Sequence, residues 1–128
     1  MFLSLWHLFG SISLALIVTT HAWTQANREP IYFSTEELKI FILHSPAALL
    51  STEHGGCPVA SFETSRERVL LVQVRNNCPK RGSGMLANYW VDQLSLRLWK
   101  DADTKVELDT RELRRIRNRL METRRKRE

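Results

Sequence analysis

The chain has 128 residues and a formal net charge of +5, a length that bounds it to one domain. The charge excludes a protein that is basic throughout. Asp109 to Glu128 holds nine Lys/Arg against four Asp/Glu and so carries all of the +5, while residues 1–108 hold ten of each sign.

The first 26 residues contain no Asp, Glu, Lys or Arg. Leu8 to Val18 has the length of a signal-peptide apolar region, and Thr20-His21-Ala22 is a small-x-small cleavage motif, as is Thr24-Gln25-Ala26. The pattern predicts a signal peptide over residues 1–22. The alternative is a signal anchor over residues 2–19, which is just long enough to span a bilayer. Either reading exports the remainder, so the expected location is secreted or periplasmic, or membrane-anchored if the segment is retained. Residues 23–33 read as a linker, 34–121 as a single small domain and 122–128 as a basic C-terminal tail.

Ser34-Thr35-Glu36-Glu37 fits a capping box, with Phe33 and Leu38 placed for a hydrophobic staple. Leu38, Phe41 and Ile42 share one face of the helix this box opens, and Leu49 falls near that face. Pro46 predicts a kink or split there, or the start of a second short helix. Strands are expected over Val59–Thr64, Arg68–Arg75, Gly84–Asp92 and Ser95–Lys100. The unbroken apolar run of the second predicts a central strand covered on both faces, with Leu70, Val72 and Val74 joining Leu38, Phe41 and Ile42 in the main core. In the third, Leu86 and Trp90 are expected on one face and Met85, Ala87, Tyr89 and Val91 on the other. Asp92-Gln93-Leu94-Ser95 reads as the hairpin turn into the fourth. Val106 to Asp109 leads into a final helix capped by Asp109 and Glu112, with Leu113, Ile116 and Leu120 as its apolar stripe. Past Met121 the stripe ends and the last turn is expected to fray.

These elements predict an α+β fold. An N-terminal helix precedes a three- or four-stranded antiparallel meander, and a C-terminal helix packs on one face of the sheet. The helix-first order with a meander is similar to cystatin-type and nuclear-transport-factor-type folds. The stretch Ser45 to Leu50 with Lys80 to Gly84 resembles the assembly-factor domains of mitochondrial inner membranes. Neither likeness carries a function to this chain.

Cys57 and Cys78 both lie in the exported part, where an even pair predicts a disulfide. A zinc site made of His44, His54 and the two cysteines lacks the paired ligand spacing such sites use, so no metal and no cofactor is expected. Gly82 to Ala87 matches the G-x-G-x-x-A dinucleotide pattern, but the next residues, Asn88 to Val91, read as strand rather than helix. Lys80, Arg81, Gly82, Ser83 and Gly84 read first as an inter-strand linker and second as an anion-binding loop. Only His44 and His54 stand available as histidine bases in the mature part, and no carboxylate spacing singles out a pair. Tyr89, Trp90, Trp99, Arg97 and Lys100 read as core aromatics with outward charges, or else as an aromatic-basic face.

The expected function is therefore an exported, non-catalytic small domain that binds a protein partner or an anionic surface. The alternative is an unrecognised small secreted hydrolase or lyase. Arg124, Arg125, Lys126 and Arg127 are the expected surface-binding residues, and sequence-specific nucleic acid is not an expected partner. Membrane attachment is expected only through the N-terminal segment, if that segment is uncleaved.

Overall fold

The computed structural model describes residues 30–79, 82–101 and 103–128. The signal-peptide or anchor segment, and Lys80 and Arg81 of the expected loop, lie outside the described residues. The chain divides between Ile31 and Tyr32, and the unit Tyr32–Glu128 holds every described helix and strand.

Helix α1 spans Thr35–Ile42. Ser34 caps it through a full capping box: its hydroxyl accepts from the Glu37 N–H, and the Glu37 carboxylate accepts from the Ser34 N–H. Phe33 and Leu38 flank the cap, and both are buried in the core. The helix stops where Pro46 removes a backbone donor. A second helix, α2, starts there and spans Pro46–Glu53. Ser45 is its N-cap without donating or accepting through its side chain; instead the Tyr89 hydroxyl, from the sheet, accepts from the Ala47 N–H at 3.2 Å. Restarting the helix resets its phase, so Ala48 is the fully buried residue of α2 and Leu49 turns to solvent. Gly55 then takes the left-handed conformation (φ 76°) that ends the segment.

Five antiparallel strands come next, in sheet order β1-β2-β3-β4-β5: Pro58–Ser61, Val69–Cys78, Gly82–Asp92, Leu98–Lys100 and Asp103–Glu107. The expected meander is present, but with five strands rather than three or four. The extra strand, β5, carries little apolar signal, since its Val106 is exposed at the sheet edge. Arg97 supplies what hydrophobic patterning does not. Its Nε and Nη2 donate to the two Glu107 carboxylate oxygens at 3.1 and 2.9 Å, pinning β5 beside β4.

Two further expectations are corrected. The hairpin loop is longer than a turn over Asp92–Ser95: β4 begins at Leu98, and Leu96 adopts a positive φ of 56° on the way. A β-bulge between Val74 and Arg75 then shifts the β2–β3 register, pairing Val74 with Ala87 but Arg75 with Met85. Leu86 is the unpaired extra residue. Beyond it the alternation of β3 inverts, so Met85 joins the face of Trp90, and Leu86 borders a hollow shared with Ala47 and Leu50 of α2.

Helix α3 spans Arg111–Arg127. Its N-cap is Thr110, whose hydroxyl accepts from the Leu113 N–H at 3.2 Å. Asp109 is displaced from the expected capping role because Arg114 and Arg117 both take its carboxylate. The helix does not fray past Met121 but continues through Arg127. Leu113, Ile116 and Leu120 are buried as one stripe.

Leu38, Phe41 and Ile42 of α1, Leu70, Val72 and Val74 of β2, Tyr89 and Val91 of β3, Leu98 of β4 and the α3 stripe form one core cluster. Period two in the strands and 3.6 in the helices put these residues on facing surfaces. The same alternation sends Val69 and Leu71 to the opposite face, where they are 38% and 40% exposed. Among the described residues the β2 run is therefore covered on one face only. No described helix lies over the other. No helix among the described residues is long and apolar enough to cross a membrane.

Candidate functional site

Cys57 and Cys78 are joined by a disulfide with their Cα atoms 5.1 Å apart. The bond ties the segment after α2 to the end of β2. A disulfide of this kind persists in an oxidising compartment.

Cationic side chains are concentrated on α3, which carries nine Lys/Arg and two Asp/Glu in 17 residues. The helix is about 25 Å long at 1.5 Å per residue. Its buried stripe fixes which way the remaining residues point. Arg111, Arg114, Arg115, Arg119, Arg125 and Lys126 are all exposed and lie on the side away from the stripe. Arg114 and Arg115 lean on Asp109 and Glu112, and Lys126 on Glu122, all in surface pairs. Such pairs contribute little and leave the cations accessible. Arg111, Arg119 and Arg125 form no ion pair among the described residues.

The other three arginines turn back onto the body. Arg117 is 16% exposed; its Nε donates to the Leu96 carbonyl at 2.7 Å, and its guanidinium lies 5.6 Å from the Phe41 ring centre. Arg124 lies 4.8 Å from the Phe33 ring centre and reaches toward the Leu94 carbonyl. Arg127 pairs with Glu37 of α1 at 3.1 Å. Burial opposes ionisation of Glu37. The Ser34 N–H and hydroxyl and then Arg127 outweigh it, holding its carboxyl below the usual range.

The structure thus divides the four expected surface-binding residues. Arg125 and Lys126 face out, whereas Arg124 and Arg127 are engaged with the body. Arg111, Arg114, Arg115 and Arg119 share the outward face, which the unbroken Arg-Arg-Lys-Arg run of the sequence does not mark. The 3.6-residue period counted back from Leu113, Ile116 and Leu120 finds them.

The helix-free face of the sheet carries a second group. Trp90 pairs directly with Leu71 on one side and with Trp99 on the other, so three apolar side chains cross three strands in a row. Arg97 lies 5.3 Å from the Trp99 ring centre while it holds Glu107. At the β1 side of this face is an open groove of about 650 Å³, lined among others by Phe62, Glu63, Glu67, Leu71, Gln73 and Trp90.

Of the expected anion loop, Gly82, Ser83 and Gly84 lie in β3 and pair with Cys78, Asn77 and Asn76. Of the described histidines, His44 lies in the turn after α1 and His54 caps the end of α2, each with Nδ1 against a carbonyl one turn back, Ile40 for His44 and Leu50 for His54. The hollow of about 280 Å³ beside His54 is lined by Ser51, Asn76 and apolar residues, with no carboxylate among the described residues. Glu112 is held by Arg115 at 2.8 Å, which keeps its carboxyl below the usual range. No cluster of three or more His, Cys, Asp or Glu suited to a metal exists among the described residues. The chain matches no protein-family model, no curated protein and no solved structure.

Proposed function

We propose that this protein is an exported, non-catalytic binding domain that docks on an anionic lipid surface through the outward face of α3. One observation carries the reading: six cationic side chains stand on one side of a 17-residue helix whose opposite side is locked into the core. A fixed helix presents its charges without the ordering cost that a loose tail meets on binding. The six are spread along the whole helix rather than gathered round a cleft. That layout suits a flat, diffuse array of headgroup phosphates better than a single discrete anion. The outward face offers no large apolar residue, so contact stays at the headgroup level. The disulfide and the signal-like start of the chain support an exported setting.

Each Lys or Arg near an acidic membrane contributes about 1 kcal/mol, and the attraction decays over a Debye length of about 8 Å at physiological salt. The test is co-sedimentation with vesicles of phosphatidylglycerol and phosphatidylcholine, against phosphatidylcholine alone. Binding is expected only to the acidic vesicles and should fall steeply with salt. The variant Arg111→Gln/Arg119→Gln/Arg125→Gln should bind about a hundred-fold more weakly. Salt-independent binding, equal binding by the variant, or binding to heparin but not to acidic vesicles would defeat the reading.

A further inference from the structure

We infer that the groove on the helix-free sheet face takes a lysine- or arginine-bearing segment of a partner polypeptide. The site stands on the opposite side of the sheet from the core that α3 packs into, and it is independent of the lipid-binding reading. Its floor is Val69 and Leu71 of β2 with the Trp90 indole of β3. Its wall is the loop between β1 and β2. Among the described residues, both ionisable side chains that line it, Glu63 and Glu67, are carboxylates.

Those carboxylates have no ion pair among the described residues. The two cations of the same loop, Arg66 and Arg68, do not line the groove, and Arg68 is engaged through its Nε with both oxygens of Asp92 at 3.0 and 2.9 Å. In a chain with a net charge of +5, the groove is thus a locally acidic hollow with an aromatic floor. An opposite charge is what complements it. The alkyl stem of a lysine or arginine packs on Leu71 and the indole while its charged end meets the carboxylates. The volume, about 650 Å³, is that of an ordinary ligand cleft.

The wall is held in place before any ligand arrives. Gln93, 4% exposed, donates its side-chain amide to the carbonyls of Ser65 and Glu67. The Tyr32 hydroxyl donates to the Arg66 carbonyl at 3.0 Å, and the Glu67 N–H donates to the Ser65 hydroxyl at 3.0 Å. Three anchors on a seven-residue loop (residues 62–68) reduce the freedom that binding must remove. The groove also opens onto the Leu71–Trp90–Trp99 row, which offers a place for an apolar side chain next to the cation. That continuity points to a polypeptide segment rather than a lone amine.

The experiment is a titration of the isotope-labelled full chain, followed at the Trp90 indole N–H and the Gln73 side-chain amide. The peptides are Ac-Ala-Lys-Leu-Lys-Ala-NH2 and its glutamate counterpart Ac-Ala-Glu-Leu-Glu-Ala-NH2, with cellohexaose as a neutral comparison. The lysine peptide should shift both signals. Its affinity should fall at least tenfold in Glu63→Gln/Glu67→Gln and stay unchanged in Arg111→Gln/Arg119→Gln/Arg125→Gln. No shift with the lysine peptide at millimolar concentration, equal affinity in the double-glutamine variant, or shifts with the sugar instead would each overturn the inference.

Discussion

Asp92 shows how one side chain closes a hairpin. It ends β3 only 5% exposed and would be costly to bury as a bare charge. Arg68 meets both its oxygens, and the Leu94 and Ser95 N–H groups donate to Oδ1 at 2.9 and 3.2 Å. Burial raises its pKa, but the Arg68 bond and the two backbone bonds prevail and hold the carboxyl below the usual range. A depressed folded-state pKa contributes stability that is present above the unfolded value, near 3.9, and lost as pH falls through the folded one. Asp92→Asn should therefore cost about 1–3 kcal/mol at pH 7 and progressively less below about pH 4. Urea unfolding across that range checks it; a pH-independent difference would contradict it. The sequence shows Asp92 as a turn residue, yet not its role, because Arg68 lies 24 positions away. The cysteine pair was legible because an even pair of cysteines behind a signal-like segment reads as a disulfide. Arg124 and Arg127 were not, since their partners Phe33 and Glu37 come from the other end of the chain.

At the scale of elements, periodicity and caps carried most of the fold. Ser34 and Glu37 mark the start of α1, Pro46 marks the break, and Leu70, Val72 and Val74 mark the core face of β2. What period cannot report is a register change. The bulge opposite Val74 and Arg75 exchanges the faces of Met85 and Leu86, and no residue there is a glycine or proline that would signal it. Nor can it report β5, which joins the sheet through Arg97 and Glu107 rather than through an apolar stripe. The core assignments give a direct check. Phe41 and Val72 are fully buried, so Phe41→Ala should cost about 3–5 kcal/mol and Val72→Ala less, as fewer atoms leave. Leu71→Ala, on the open face, should cost under about 1.5 kcal/mol. Chemical unfolding of the three variants should return that order. Equal losses at Val72 and Leu71 would mean that the helix-free face is covered.

The unit Tyr32–Glu128 is a sheet with helices on one face, a staple at one end and different chemistry on the two faces. The disulfide spans 21 positions and limits the freedom of the unfolded chain. Its reduction should lower stability by about 3 kcal/mol in the chain-entropy model, read as an earlier urea midpoint in dithiothreitol. An unmoved midpoint would show that the β1–β2 pairing holds without it. The asymmetry of charge was legible from the sequence, but its direction was not. Nine cations in the last twenty residues do not say which face the solvent until the buried stripe of α3 is placed.

On the proposed function, α3 separates its arginines into an outward set that binds and an inward set that holds the fold. Acidic-vesicle binding, measured beside thermal unfolding on two variants of the full chain, tests it directly. Arg111→Gln/Arg119→Gln/Arg125→Gln should lose binding while its stability stays within about 0.5 kcal/mol per site, as surface changes do. Arg117→Gln/Arg124→Gln should lose about 1–3 kcal/mol of stability, because the hairpin carbonyls and ring faces they cover are left without partners, and should still bind while folded. Equal loss of binding in both variants at a temperature where both are folded would contradict the division.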